Sequence, residues 1–207
     1  MPRPELHSAE GILDAARHLV LEGGARAATV DGIVAASGAP KGSIYHRFAT
    51  LNDLLGVMWL RAVRRSQESF LAALAEDDPL RAAVAAGLSI HDFALDEPAD
   101  ARLLASLRRE DVLGSVTDPD LQRALSEINA PMGAVIRDLA RRIYGRVSRT
   151  AVEQTMCAVI DVPLGAIRRH LTSGARLPRS LRPQLEAAIL GALAARRRPE
   201  DHRAAAD

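Results

Sequence analysis

Thr29-Val-Asp-Gly-Ile-Val-Ala-Ala-Ser-Gly-Ala-Pro-Lys-Gly-Ser-Ile-Tyr-His-Arg-Phe48 reads as two short helices joined by a tight bend. The Thr29 hydroxyl suits a helix N-cap, Val30, Ile33 and Val34 recur on one side, and Ser37-Gly38 supplies a stop. After Ala39, Pro40 stands where proline is tolerated, at the first position of a second helix over Lys41 to Phe48 with Ile44 and Phe48 inward. Pro40, Lys41, Ser43, Tyr45, His46 and Arg47 are left outward, and most of them can donate to a phosphate or a base. This is helix-turn-helix geometry, in which the first helix braces the second and the second presents its N-terminal half to the major groove. Gly42 costs roughly 1 kcal/mol against alanine in a helix interior, and close approach of a duplex would offset that cost. The spacing alone also fits a plain helical hairpin with a polar face.

Upstream, Ile12, Ala15, Ala16, Leu19 and Val20 form one apolar helical stripe that stops at Gly23-Gly24. Downstream, Thr50 with Asp53 forms a capping box, followed by Leu54, Leu55, Met58, Val63 and Phe70 up to Asp77-Asp78-Pro79. Beyond that, prolines after Asp78, Glu97, Asp118 and Leu177 punctuate helices expected over about 80–95, 99–112, 119–145, 148–173 and 180–197. No alternating β-branched run competes. The predicted fold is all-α: an N-terminal three-helix, helix-turn-helix domain over residues 1–49, a larger domain of about nine helices over 50–197, and a disordered tail over 198–207.

The charges restrict function. With 27 basic and 26 acidic residues the net charge is +1, so a DNA-packaging role, which calls for a more basic chain, is disfavoured. Lys41 is the only lysine, all other basic residues being Arg. A single cysteine, Cys157, excludes a disulfide framework and a Cys-cluster zinc site. No metal-ligand spacing, nucleophile–base pair, HExxH or Gly-rich phosphate loop occurs, so no catalytic residue, metal or cofactor is expected. An all-α enzyme or ligand-binding bundle without DNA function stays as the alternative. The N-terminus lacks a signal-peptide layout and the longest apolar run, Ala82 to Ile90, is too short for a bilayer. A cytoplasmic protein without a membrane partner is expected.

Ile12-Leu-Asp-Ala-Ala16, Ala28-Thr-Val-Asp-Gly-Ile33 and Ser37-Gly-Ala-Pro-Lys-Gly-Ser-Ile-Tyr-His-Arg-Phe48 together resemble the TetR family of bacterial transcriptional regulators, over about residues 8–60. Two departures stand out: Pro40 replaces the usual hydroxyl residue and Leu51 replaces a common lysine. The resemblance implies a regulator that binds a double-stranded, palindromic operator as a homodimer and is released as a repressor by a small-molecule effector. It also implies that Thr29, Ser43, Tyr45 and His46 contact phosphates, with Pro40, Lys41 and Ser43 nearest the bases and Gly42 allowing close approach.

From Thr150 to Ile167 apolar residues lie on more than one face, which requires cover on two sides. Val152, Met156, Val159, Ile160, Leu164 and Ile167, with Leu181, Leu185, Ala188, Ile189 and Ala192, suit either a four-helix seam between two subunits or the centre of a monomeric bundle. Pro163 is expected to kink its helix by removing the bond to the Val159 carbonyl. Nominated for an effector cavity are Trp59, His91, Phe93, Arg102, Leu107, Met132, Ile136, Tyr144 and Met156.

Overall fold

A computed structural model describes residues 8–195. The expected tail over 198–207 and the first seven residues lie outside them. Every regular element among the described residues is helical: α1 (Ala9–Gly23), α2 (Val30–Ser37), α3 (Lys41–Arg47), α4 (Leu51–Ala73), α5 (Pro79–Asp96), α6 (Pro98–Ser106), α7 (Arg109–Leu113), α8 (Pro119–Glu127), α9 (Ala130–Tyr144), α10 (Arg149–Met156), α11 (Val162–Ser173) and α12 (Leu181–Ala194). A 3₁₀ turn at Ala25–Ala27 follows α1.

Two expected helices divide, each for a tertiary reason. The 99–112 segment breaks into α6 and α7 at Leu107, whose extended backbone turns its carbonyl to the Trp59 indole N–H at 3.2 Å. The 119–145 segment breaks into α8 and α9 at Ile128-Asn129, where the Ile128 carbonyl and Asn129 Oδ1 accept Gln67 Nε2 at 3.0 and 3.1 Å. Pro131 stands in the first turn of α9 there, and its missing N–H was the overlooked sequence signal. A π-helical turn over Cys157–Asp161 leads into α11 just before Pro163, and the Val162 N–H bonds the Cys157 carbonyl five residues back. Widening the ladder by one residue gives room to the proline ring, which has no N–H to donate.

Thr50 caps α4 as expected, but Asp53 does not close a reciprocal capping box. Its buried carboxylate accepts from the Thr50 hydroxyl at 2.7 Å and then reaches across to the α7–α8 connection, accepting from Thr117 N at 2.8 Å, Thr117 Oγ1 at 2.9 Å and Asp118 N at 3.1 Å.

The apolar interior forms three clusters, and α4 contributes to all of them. Leu54, Met58 and Ala62 close the N-terminal core of α1 to α3 together with Leu103 of α6. Trp59, Leu60 and Val63 pack on Val112, Val116, Leu121 and Leu125, and Phe70 enters the large core built on α5 and α9 to α12. A Cβ at Gly87 would stand 2.6 Å from Ile189 Cδ1, so the missing side chain lets α12 lie directly on α5. Asp100 on α6, fully buried, accepts from Arg17 on α1 and from Arg65 on α4, the latter at 3.1 Å. Arg61 joins Glu10 at 2.6 Å and Asp14 at 2.7 Å, so guanidiniums fasten α1 to α4. Among the described residues no helix is long and apolar enough to cross a membrane.

Candidate nucleic-acid interface

The bend between α2 and α3 is built locally. Thr29 Oγ1 accepts Gly32 N at 3.1 Å and starts α2. Gly38 ends it in the left-handed region at φ 69°, with its N–H on the Val34 carbonyl at 2.9 Å, a conformation that favours glycine. Ser37 Oγ donates to the Ile33 carbonyl at 2.6 Å and accepts Ala39 N at 3.1 Å, which stiffens the connection. Ala39, Ile44 and Phe48 are buried in the N-terminal core and set the angle of α3. Pro40 is the N-cap of α3, one position earlier than expected, and supplies no side-chain cap; its carbonyl accepts Ser43 N at 2.9 Å.

The opposite face of α3 points to solvent. Pro40, Lys41, Gly42, Tyr45 and His46 are exposed and Ser43 is half-buried; Thr29, at the start of α2, is exposed too. Tyr45 keeps 48% of its surface accessible, a large aromatic side chain half open to solvent. Among the described residues nothing lies within 4 Å of a Cβ built on Gly42, so none of them demands glycine there. Lys41 Nζ sits 3.0 Å from Asp31 Oδ1 on α2, and the hydrogen bond and charge of Asp31 raise the lysine pKa. Sequence reading missed Asp31 as a partner, although its outward place in the first turn of α2 was visible.

Residues 12–58, which hold this motif and the helices that brace it, match the family model of bacterial regulatory proteins, tetR family. The motif is a TetR-family DNA-binding domain. The likeness extends past it: an uncharacterized HTH-type transcriptional regulator of Mycobacterium tuberculosis is 25% identical over 175 residues, covering 84% of each chain, and one of Mycobacterium bovis matches equally. Among solved structures, the TetR family transcriptional regulator PfmR of Thermus thermophilus superposes with a TM-score of 0.69 at 17% identity, over 90% of this chain and 99% of that one. The fatty acid degradation regulator FadR of Bacillus halodurans gives 0.68 at 15% identity, over 92% and 100%. The chain is a DNA-binding transcriptional regulator whose residues 12–58 match that family model.

The residues expected at a subunit seam fall into two groups. Val159, Ile167, Leu181, Leu185 and Ile189, assigned to a subunit seam, are buried in the protomer's own large core, and Val152, Met156, Ile160 and Ala192 are half-buried against it. Only Leu164 and Ala188 of the eleven are exposed. The physical reason is that α5 and its neighbours already cover the greasy faces. Outward on α12 lie Pro183, Ala187, Leu190, Gly191 and Ala194, spaced as one helical stripe, with Leu190 41% accessible.

Of the residues nominated for an effector cavity, Trp59, Phe93 and Leu107 line one of about 620 Å³ between α4, α5, α6 and α11. The others are elsewhere. Ile136 is core, Met132 and Met156 pack on it, and Arg102 is exposed. Tyr144 donates its hydroxyl to the Leu193 carbonyl at 3.0 Å, and burial raises its pKa. His91 is buried with Nδ1 3.0 Å from Asp92 Oδ1. The cavity also uses Ile90, Leu104, Arg108, Arg168 and Leu171, from elements far apart in sequence, and no local signal marks them.

Proposed function

We propose that the protein is a cytoplasmic, homodimeric repressor that reads a palindromic operator with α3 in the major groove and is released by a small molecule bound in the cavity of residues 50–197. The observation that carries the reading is the face of α3: donors at Lys41, Ser43, Tyr45 and His46 project around a glycine that no described residue crowds. In this reading Thr29, Ser43, Tyr45 and His46 hold phosphates, and Pro40, Lys41 and Ser43 lie nearest the bases. Residues 1–49 form the DNA-binding unit.

The dimer face proposed here is the outward stripe of α12, Ala187, Leu190, Gly191 and Ala194. Small side chains there permit close helix approach, and Leu190 offers a large exposed apolar group that a second copy would cover. A two-fold axis beside α12 would set two α3 helices on successive major grooves, roughly 34–36 Å apart. Effector control is supported by the path from cavity to DNA. Leu104 on α6 lines the cavity and packs on all three apolar clusters, while the adjacent Leu103 belongs to the N-terminal core. FadR, one of the similar structures, is a fatty acid degradation regulator by name.

The deciding experiment is a footprint and gel shift on the DNA upstream of the protein's own gene, against a random duplex of equal length. A protected inverted repeat, bound far more tightly than random DNA, is the expected result. Equal binding to both duplexes would defeat the operator reading.

A further inference from the structure

The 620 Å³ cavity has a pronounced division of chemistry, and its size is that of a small-molecule site. Trp59, Phe93, Ile90, Leu104 and Leu171 make apolar walls. The Trp59 N–H is already engaged by the Leu107 carbonyl, so the indole presents a fixed ring and no free donor. The lining also holds three guanidiniums, Arg108 and Arg109 after α6 and Arg168 on α11, against one carboxylate, Glu110. Arg109 lies 3.6 Å from Glu110, which leaves Arg108 and Arg168; neither side chain has an ion pair or hydrogen bond among the described residues. In a chain of net charge +1, where Arg61, Arg65, Arg142, Arg149 and Arg182 all hold carboxylates or carbonyls, two unengaged guanidiniums on one apolar cavity form a local excess of positive charge.

We propose that this cavity binds an amphipathic organic carboxylate, its anionic head held by Arg108 and Arg168 and its apolar body lying against Trp59 and Phe93. Guanidinium forks match carboxylate geometry, and both arginines are exposed, so the head would be held at the open edge of the apolar walls. A neutral ligand of the same body leaves both guanidiniums without an acceptor, and a cation meets repulsion from them. The proposal rests on the cavity being the effector site of the regulator described above.

Trp59 is the only tryptophan of the chain, so its emission reports directly on the cavity. The full chain is titrated with decanoate, decan-1-ol and decylamine, below the micelle range of each. Decanoate is expected to give a saturable change in emission, with the alcohol weaker by about tenfold and the amine weaker still. The double variant Arg108→Gln, Arg168→Gln should bring decanoate down to the affinity of the alcohol while leaving the alcohol unchanged, which also shows that the cavity is intact. Equal binding of decanoate and the alcohol to the unaltered protein, an undiminished carboxylate preference in the double variant, or no response to any of the three probes overturns the assignment. Repeating the titration with operator DNA separates the two readings. Arginine-dependent decanoate binding that leaves operator affinity unchanged upholds the carboxylate site and overturns effector control.

Discussion

Lys41 Nζ, on the only lysine of the chain, lies 3.0 Å from Asp31 Oδ1, so the cation proposed to lie nearest the bases is held by a carboxylate of the bracing helix. Both groups are largely exposed, and such a pair adds little to folding. Its consequence is electrostatic: Asp31 partly cancels Lys41 and, in the proposed docking, sets a negative charge beside the phosphates. Because Asp31 raises the Lys41 pKa, whatever the pair contributes is fully present at neutral pH and is lost only as pH rises through the raised value.

Asp31→Asn should therefore tighten binding to specific and random duplexes alike, by roughly threefold at low salt, with the gain shrinking as salt rises. Fluorescence anisotropy across a salt series measures it. Unchanged or weaker binding would place Asp31 away from the duplex.

Gly42→Ala is expected to separate stability from function. With open space around the new methyl, the melting temperature should rise by the equivalent of about 1 kcal/mol, the ordinary preference of a helix for alanine. Operator affinity should fall, because the methyl occupies the space the duplex needs. Retained affinity in the stabilised variant would show that the duplex does not come that near.

Lys41→Ala should cost about 1–3 kcal/mol on the operator and relax preference at one position of each half-site. Tyr45→Phe and His46→Ala should instead weaken every duplex to a similar degree, as phosphate contacts do. Affinities against a set of single-base operator variants distinguish the two patterns.

Asp53→Ala removes the acceptor for two backbone N–H groups and two hydroxyls at a buried site, and should destabilise the fold by about 2–4 kcal/mol. Burial pushes the Asp53 pKa up, but the hydrogen bonds from Thr50, Asp118 and Thr117 together outweigh it and hold the carboxyl below its usual range. Its contribution is accordingly present above the unfolded value and lost as pH falls through the depressed folded one. Thermal melts of the unaltered protein and of Asp53→Asn between neutrality and about pH 3 should converge at the acid end. A difference that persists undiminished there would mean that Asp53 acts through packing instead of charge.

Neighbouring positions on α12 should respond in opposite ways. Leu190→Asp, on the exposed stripe, is expected to keep the helix content and melting behaviour of the protomer while giving monomers in light scattering. Ile189→Asp places an unpaired charge at a fully buried position and should cost several kcal/mol, unfolding the C-terminal core. A dimer that survives Leu190→Asp would move the interface off this stripe.

The local grammar of the first fifty residues was enough to place α1 to α3 and the motif they form. The Thr29 cap, the left-handed Gly38 and the inward Ile44 and Phe48 depend on interactions within a few residues, and so does the resemblance that named the family. The greasy character of residues 150–167 was equally legible. Which molecule covers it was not, because periodicity reports that a face must be buried and not what buries it. Only packing showed that Gly87 admits Ile189 and that α12 turns Leu190 outward. The reach of Asp53 to Thr117, the break at Leu107 imposed by Trp59, and the meeting of Arg108 with Arg168 around one cavity join residues dozens of positions apart. Such pairings depend on how helices cross in space, and a single sequence carries no local trace of that geometry.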